Sequence, residues 1–121
     1  YFSQGEAPSS FDMIITGDLG REGSEILRDL VYAAGYDISS NHTDCGMMIY
    51  NIDLDDKHAG GSGCGCSAVV MSAHILRNIR DGILKDILFV GTGALMIPLM
   101  VNQGSTIPGI GHLVRIKGEQ K

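Results

Sequence analysis

The run Gly60-Gly-Ser-Gly-Cys-Gly-Cys-Ser67 concentrates the residue types that could do chemistry in this chain. Glycines let a ligand approach the main chain closely, and backbone amides at a helix start attract anions. Ser62, Gly63, Cys64, Gly65 and Cys66 are therefore candidate contacts for a small anion. His58 could add a charge-assisted hydrogen bond when protonated. An equally weighted structural reading is that two buried elements pass so close here that only glycine fits. The run has neither the spacing of a phosphate loop nor its Lys-Ser/Thr pair, which disfavours a nucleoside triphosphatase.

His58, Cys64 and Cys66 could also ligate a metal, with Cys45 or His42 as a fourth ligand. Zinc sites space paired cysteines about two to four residues apart, and Cys-Gly-Cys is tighter, so neither a resident metal nor a cofactor is expected. Free cysteines at a crowded helix start pack as small hydrophobes. A lone Cys64 or Cys66 at a helix N-terminus would have a lowered pKa. Nucleophilic catalysis would still need a base and an oxyanion site. His42, His74 and His112 are expected on a loop, a helix and an edge strand, in solvated or packing roles. Met96 and Met100, flanking Pro98, read as lining or core. Asp18 is expected first as the cap of the helix beginning near Arg21. Its second reading is a calcium contact, because calcium prefers carboxylate and carbonyl oxygens.

The elements that must position these residues follow from hydrophobic spacing. Phe11 to Thr16 reads as a buried strand, and Gly17-Asp-Leu-Gly20 breaks it. A helix is expected from Arg21 to Ala34, with Ile26, Leu27, Leu30, Val31 and Ala34 on its apolar face and Gly35 as the stop. Cys45 to Ile52 reads as a second strand, followed by a charged loop from Asp53 to Lys57. Ala68 to Arg80 reads as a helix that is apolar nearly all round and hence buried on both sides. Asp86 to Gly91 is a third strand, Thr92 to Gly111 a long loop, and His112 to Lys117 a fourth, edge strand. The order β-α-β-α-β-β implies an α/β fold with a mixed, mainly parallel sheet whose last two strands are antiparallel neighbours. Residues 1–10 form a lead-in, either a protease-site remnant or a helix end followed by a loop.

The chain has 121 residues, enough for one domain. Its formal charge of −5 argues against binding nucleic acid through bulk charge. Hydrophobic residues make up 44% and charged residues 19%, which suits a packed core and excludes a disordered chain. No apolar run approaches the ~20 residues of a membrane span, and no secretory signal is expected. Three cysteines, an odd count, point to a reducing cytosol rather than a disulfide scaffold.

Five segments together resemble a known family: Ile15-Thr-Gly-Asp-Leu-Gly20, Asp44-Cys-Gly46, His58 to Ala68, Gly91-Thr-Gly-Ala-Leu95 and Gln103-Gly-Ser-Thr-Ile-Pro-Gly-Ile110. The chain is similar, from about Phe11 onward, to the C-terminal part of the stage V sporulation protein AD family, within the thiolase-like superfamily. The resemblance implies that residues 11–121 are a C-terminal half-domain of a longer protein. It implies a non-catalytic role in loading dipicolinic acid, with calcium, into spores. It also implies membrane-protein partners of the same uptake system, a homodimer, and a cytoplasmic or peripheral position at the forespore inner membrane. Related acyl-transferring enzymes carry a catalytic His where this chain has Gly17 or Asp18, and an Asn in the glycine turn, where none lies between His58 and Ser67. Without those groups nothing activates a nucleophile or stabilises an oxyanion. An acyl-transfer enzyme is the competing expectation. As an isolated segment, the first strand is expected to lose a neighbour, and one face of the helix Ala68–Arg80 to lie uncovered.

Overall fold

The computed structural model describes residues 1–54, 56–93, 98–106 and 109–119. The strands are β1 (Met13–Thr16), β2 (His42–Asp44), β3 (Asp86–Val90) and β4 (Leu113–Lys117). The helices are α1 (Gly20–Ala33), α2 (Cys45–Met48), α3 (Cys66–Val70), α4 (Leu76–Arg80) and α5 (Pro98–Asn102). A π-helical stretch, Met71–Ile75, joins α3 to α4 without a break. The sheet order is β2-β1-β3-β4, with β1 parallel to β2 and β3, and β3 antiparallel to β4. This is the mixed, mainly parallel α/β sheet that the element order implied. β1 is paired on both sides, so the expected missing neighbour is not found: β3 lies directly against it, Ile14 opposite Leu88.

The period of two along each strand sorts side chains to two faces. Ile14 and Leu88 join Phe11 and Ile38 in a core against α1, with Leu27 and Val31 packed on it. Ile15 and Ile87 join Cys45, Cys66, Val70 and Ile75 in a second core against α3 and α4. Four sequence expectations change. The second strand is polar and short, and Cys45 begins a helical turn instead of a strand, because the Asp44 side chain accepts from the Gly46 amide and caps that turn. The glycine-run helix starts at Cys66 and buries one side only: Val70 and Ile75 are inside, whereas Val69 and Leu76 are 54% and 46% exposed. On α1, Leu27 and Val31 face inward while Ile26 and Leu30 lie in solvent. The expected long loop contains α5 and Met100, and Met96 falls outside the described residues.

The lead-in is anchored. Phe2 packs on Tyr36 and Phe11, with ring centroids 5.5 and 6.5 Å apart. The Asn41 side-chain amide donates to the Pro8 and Phe11 carbonyls, 2.9 Å each. Arg115 on β4 reaches Glu6 at 2.7 Å and Asp86 at 2.6 Å, its guanidinium 5.0 Å from the Phe11 ring.

Close packing of main chain against main chain explains part of the glycine excess. The Gly61 amide donates to the Gly46 carbonyl at 2.7 Å. Gly60 has φ +117°, and a Cβ there would fall inside the Gly46 carbonyl. At Gly65 φ is −93°, and a Cβ would meet nothing within 4 Å. Gly60→Ala should therefore destabilise by ~2 kcal/mol or more, whereas Gly65→Ala should stay within ~0.5 kcal/mol of wild type. Denaturant melts of the two variants check this, and equal losses would contradict the packing account.

Candidate functional site

The strand order reverses beside β1. The chain leaves β1 for β2 on one side, then crosses through α3 and α4 to β3 on the other. In an open α/β sheet the carboxyl ends of the strands at such a reversal border a natural binding crevice. Asp18 follows β1 into it, and Thr92 follows β3. One Asp18 oxygen accepts from the Ser62 hydroxyl and the Gly63 amide, 3.0 Å each, and the other accepts from the Thr92 hydroxyl. Gly17 permits this approach, since a Cβ there would lie 2.9 Å from the Thr92 amide nitrogen. Burial opposes ionisation of Asp18, but the bonds from Thr92, Gly63 and Ser62 outweigh it and hold the carboxyl below the usual range. The crevice thus carries a negative charge ringed by hydroxyl oxygens.

Asp18 is not the helix cap. That work falls to Asp44, fully buried at the end of β2. Asp44 Oδ2 accepts from the Thr16 hydroxyl at 2.6 Å and the Leu19 amide at 2.9 Å. Its Oδ1 accepts from the Gly20 amide at 3.0 Å and the Gly46 amide at 2.9 Å. One carboxylate satisfies orphan amides of α1 and α2 together and fixes the turn that aims Asp18. His42, expected on a loop, begins β2 and is buried; its Nε2 lies 3.1 Å from the Thr16 hydroxyl and its Nδ1 3.2 Å from Arg28 Nε. The hydrogen-bonding roles of Thr16, Asp44 and Thr92 are not readable from spacing, and His42, weighed as a metal ligand or a solvated loop residue, is neither. The usable signal was polar residues at alternate positions, His42 and Asp44, directly opposite Ile14 and Thr16 in the sheet register.

The glycine-run residues divide. Ser62 and Gly63 meet Asp18, so the Gly63 amide expected for an external anion already serves an internal one. The Cys66 amide donates to the Gly63 carbonyl at 3.0 Å. Cys64 is exposed, whereas Cys66 and Cys45 are buried in one core. The lowered thiol pKa expected of Cys66 is reversed: burial, then the Asp18 and Asp44 charges, push it up. Burial, then Asp44, Cys66 and Asp18, push Cys45 up to about 12. His58 stands 87% exposed in solvent, 3.9 Å from Asp56, and bonds to neither Asp18 nor Ser62. Among the described residues no group of three or more His, Cys, Asp or Glu converges as metal ligands would.

Beside the crevice, on the α1 side, lies a cavity of about 340 Å³. Ile14, Leu27, Val31 and Leu88 form apolar walls, and Thr16 and Thr92, whose hydroxyls bond to Asp44 and Asp18, complete the lining toward the crevice. Among the described residues no cationic side chain lines it.

A family model described as stage V sporulation protein AD matches residues 1–117. Stage V sporulation protein AD of Bacillus subtilis (strain 168) is 47% identical over 102 residues, 84% of this chain. Those residues are 30% of that relative, so the chain spans about 30% of its length. The chain belongs to the stage V sporulation protein AD family.

Two outcomes follow from the site geometry. Iodoacetamide at pH 8 should label Cys64 in the native protein while Cys45 and Cys66 react only after unfolding; fast native labelling of Cys66 would contradict its burial. Asp44→Ala should cost ~3 kcal/mol or more by leaving several buried donors unpaired, whereas Asp18→Asn, at a partly solvated carboxylate, should cost under ~1.5 kcal/mol. Equal costs in thermal melts would overturn Asp44 as the organising residue.

Proposed function

We propose, from membership of that sporulation family, that the chain is part of a non-catalytic binding protein for dipicolinic acid taken up with calcium during spore formation. The observation that carries this reading is the Asp18 carboxylate. It stands where the resemblance to acyl-transferring enzymes implies a base, and its oxygens accept from Ser62, Gly63 and Thr92 donors. A carboxylate held ionised accepts no proton at neutral pH, and the buried thiols nearby are held neutral, so neither supports acyl transfer. A ring with two carboxylates would meet repulsion from Asp18 unless a cation lies between them. The hydroxyl and carboxylate oxygens of Ser62, Thr92 and Asp18 suit a hard cation such as calcium. The calcium salt is therefore a better cargo for this crevice than the free dianion.

The setting that goes with this reading is cytoplasmic or peripheral at the forespore inner membrane, beside membrane proteins of the same uptake system, as a homodimer. Among the described residues no helix is long and apolar enough to cross a membrane.

Calorimetric titration of the intact protein with dipicolinic acid should show saturable binding that tightens when calcium is added. Asp18→Asn should remove most of the calcium dependence. No saturable binding, or an acyl adduct on a cysteine by intact mass after incubation with acyl-coenzyme A, would overturn the reading.

A further inference from the structure

A line of hydrogen bonds, buried at the sheet and partly buried at Arg28, joins α1 to the sheet. Arg28 Nε can only donate, so His42 Nδ1 is its acceptor at 3.2 Å. The ring proton then sits on Nε2 and points at the Thr16 hydroxyl oxygen, 3.1 Å away. Thr16 in turn donates to Asp44 at 2.6 Å. The Thr43 carbonyl, at 3.4 Å, is a longer second acceptor for the same hydroxyl, and with Nδ1 accepting from Arg28 the imidazole must be neutral. The charged groups acting on the ring are Arg28 from α1 and Asp44 from its own strand, while β1 presents Thr16.

We infer that His42 is an acid-sensitive latch that holds α1 against the sheet and thereby closes one wall of the apolar cavity. A proton taken from water onto Nδ1 turns that atom into a donor. Two N–H groups, on two cations, then face each other, and the Arg28 bond cannot persist. The bond from Nε2 to Thr16 survives, so the change is confined to the α1 side. Leu27 and Val31 sit beside Arg28 on α1 and line the cavity, so loosening this contact opens it. Burial first, then the Arg28 charge, hold the His42 pKa below its ordinary value, with Asp44 acting the other way. The unfolded chain binds the proton at about pH 6.5 while the folded chain resists it. The contribution of the latch is therefore full above about pH 6.5 and is lost as the pH falls toward the folded value.

The test uses the intact protein with 15N-labelled histidine, followed by NMR from pH 8 to pH 5. His42, assigned by its disappearance in His42→Gln, should show the Nε2–H tautomer and titrate below ~6.5. Hydrogen exchange across residues 20–33, corrected for the intrinsic pH effect, should rise about tenfold between pH 7.5 and pH 5.5, ahead of the sheet. Glutamine can accept from Arg28 and donate to Thr16 without titrating, so His42→Gln should hold α1 equally at both pH values. If that variant does not fold, Arg28→Met should leave α1 loose at both. An Nδ1–H tautomer, titration at or above ~6.5, or acid loosening that persists in either variant would overturn the latch.

Discussion

A carboxylate without solvent contact is stable in a fold only if donors fill its oxygens. Asp44 meets that condition with one hydroxyl and three amides, drawn from β1, the turn into α1, and α2. Those bonds place Leu19 and Gly20, and so the Asp18 beside them. They also place Gly46, whose carbonyl receives the Gly61 amide and brings the glycine run against the sheet. The crevice is thus the outer layer of a junction whose centre is Asp44.

The layered α/β order was legible because Ile14, Ile15, Ile87 and Leu88 form short apolar runs bounded by glycine and charge. The α1 pattern was legible for the same reason. β2 was not, because it is three polar residues whose burial depends on partners 26 to 28 positions earlier in the chain. Such pairing leaves no local hydrophobic signature, and the apolar stretch after it attracted the strand assignment instead. Within the glycine run, Gly60 and Gly61 are close-packing positions, as the structural reading expects, whereas Ser62 and Gly63 face a carboxylate. What spacing could not show is that the carboxylate belongs to the chain itself.

That internal carboxylate shapes the functional account. A glycine-rich turn with free donors would suit an oxyanion or a free acid. Here Asp18 takes the Gly63 amide and both neighbouring hydroxyls, which is why the proposed reading pairs an acid with a cation. The nearby cavity is walled by apolar side chains, which suit uncharged surface. Burial of Cys45 and Cys66 directs those thiols to packing.

If Asp44 organises this end of the sheet, its junction is as stable as the sheet itself. Native-state hydrogen exchange of the Leu19, Gly20 and Gly46 amides in the intact protein tests it most directly. All three should exchange only through the same large opening that releases the β1 amides, with matching free energies and denaturant slopes. Exchange of these three amides by local fraying, well before β1 opens, would contradict it.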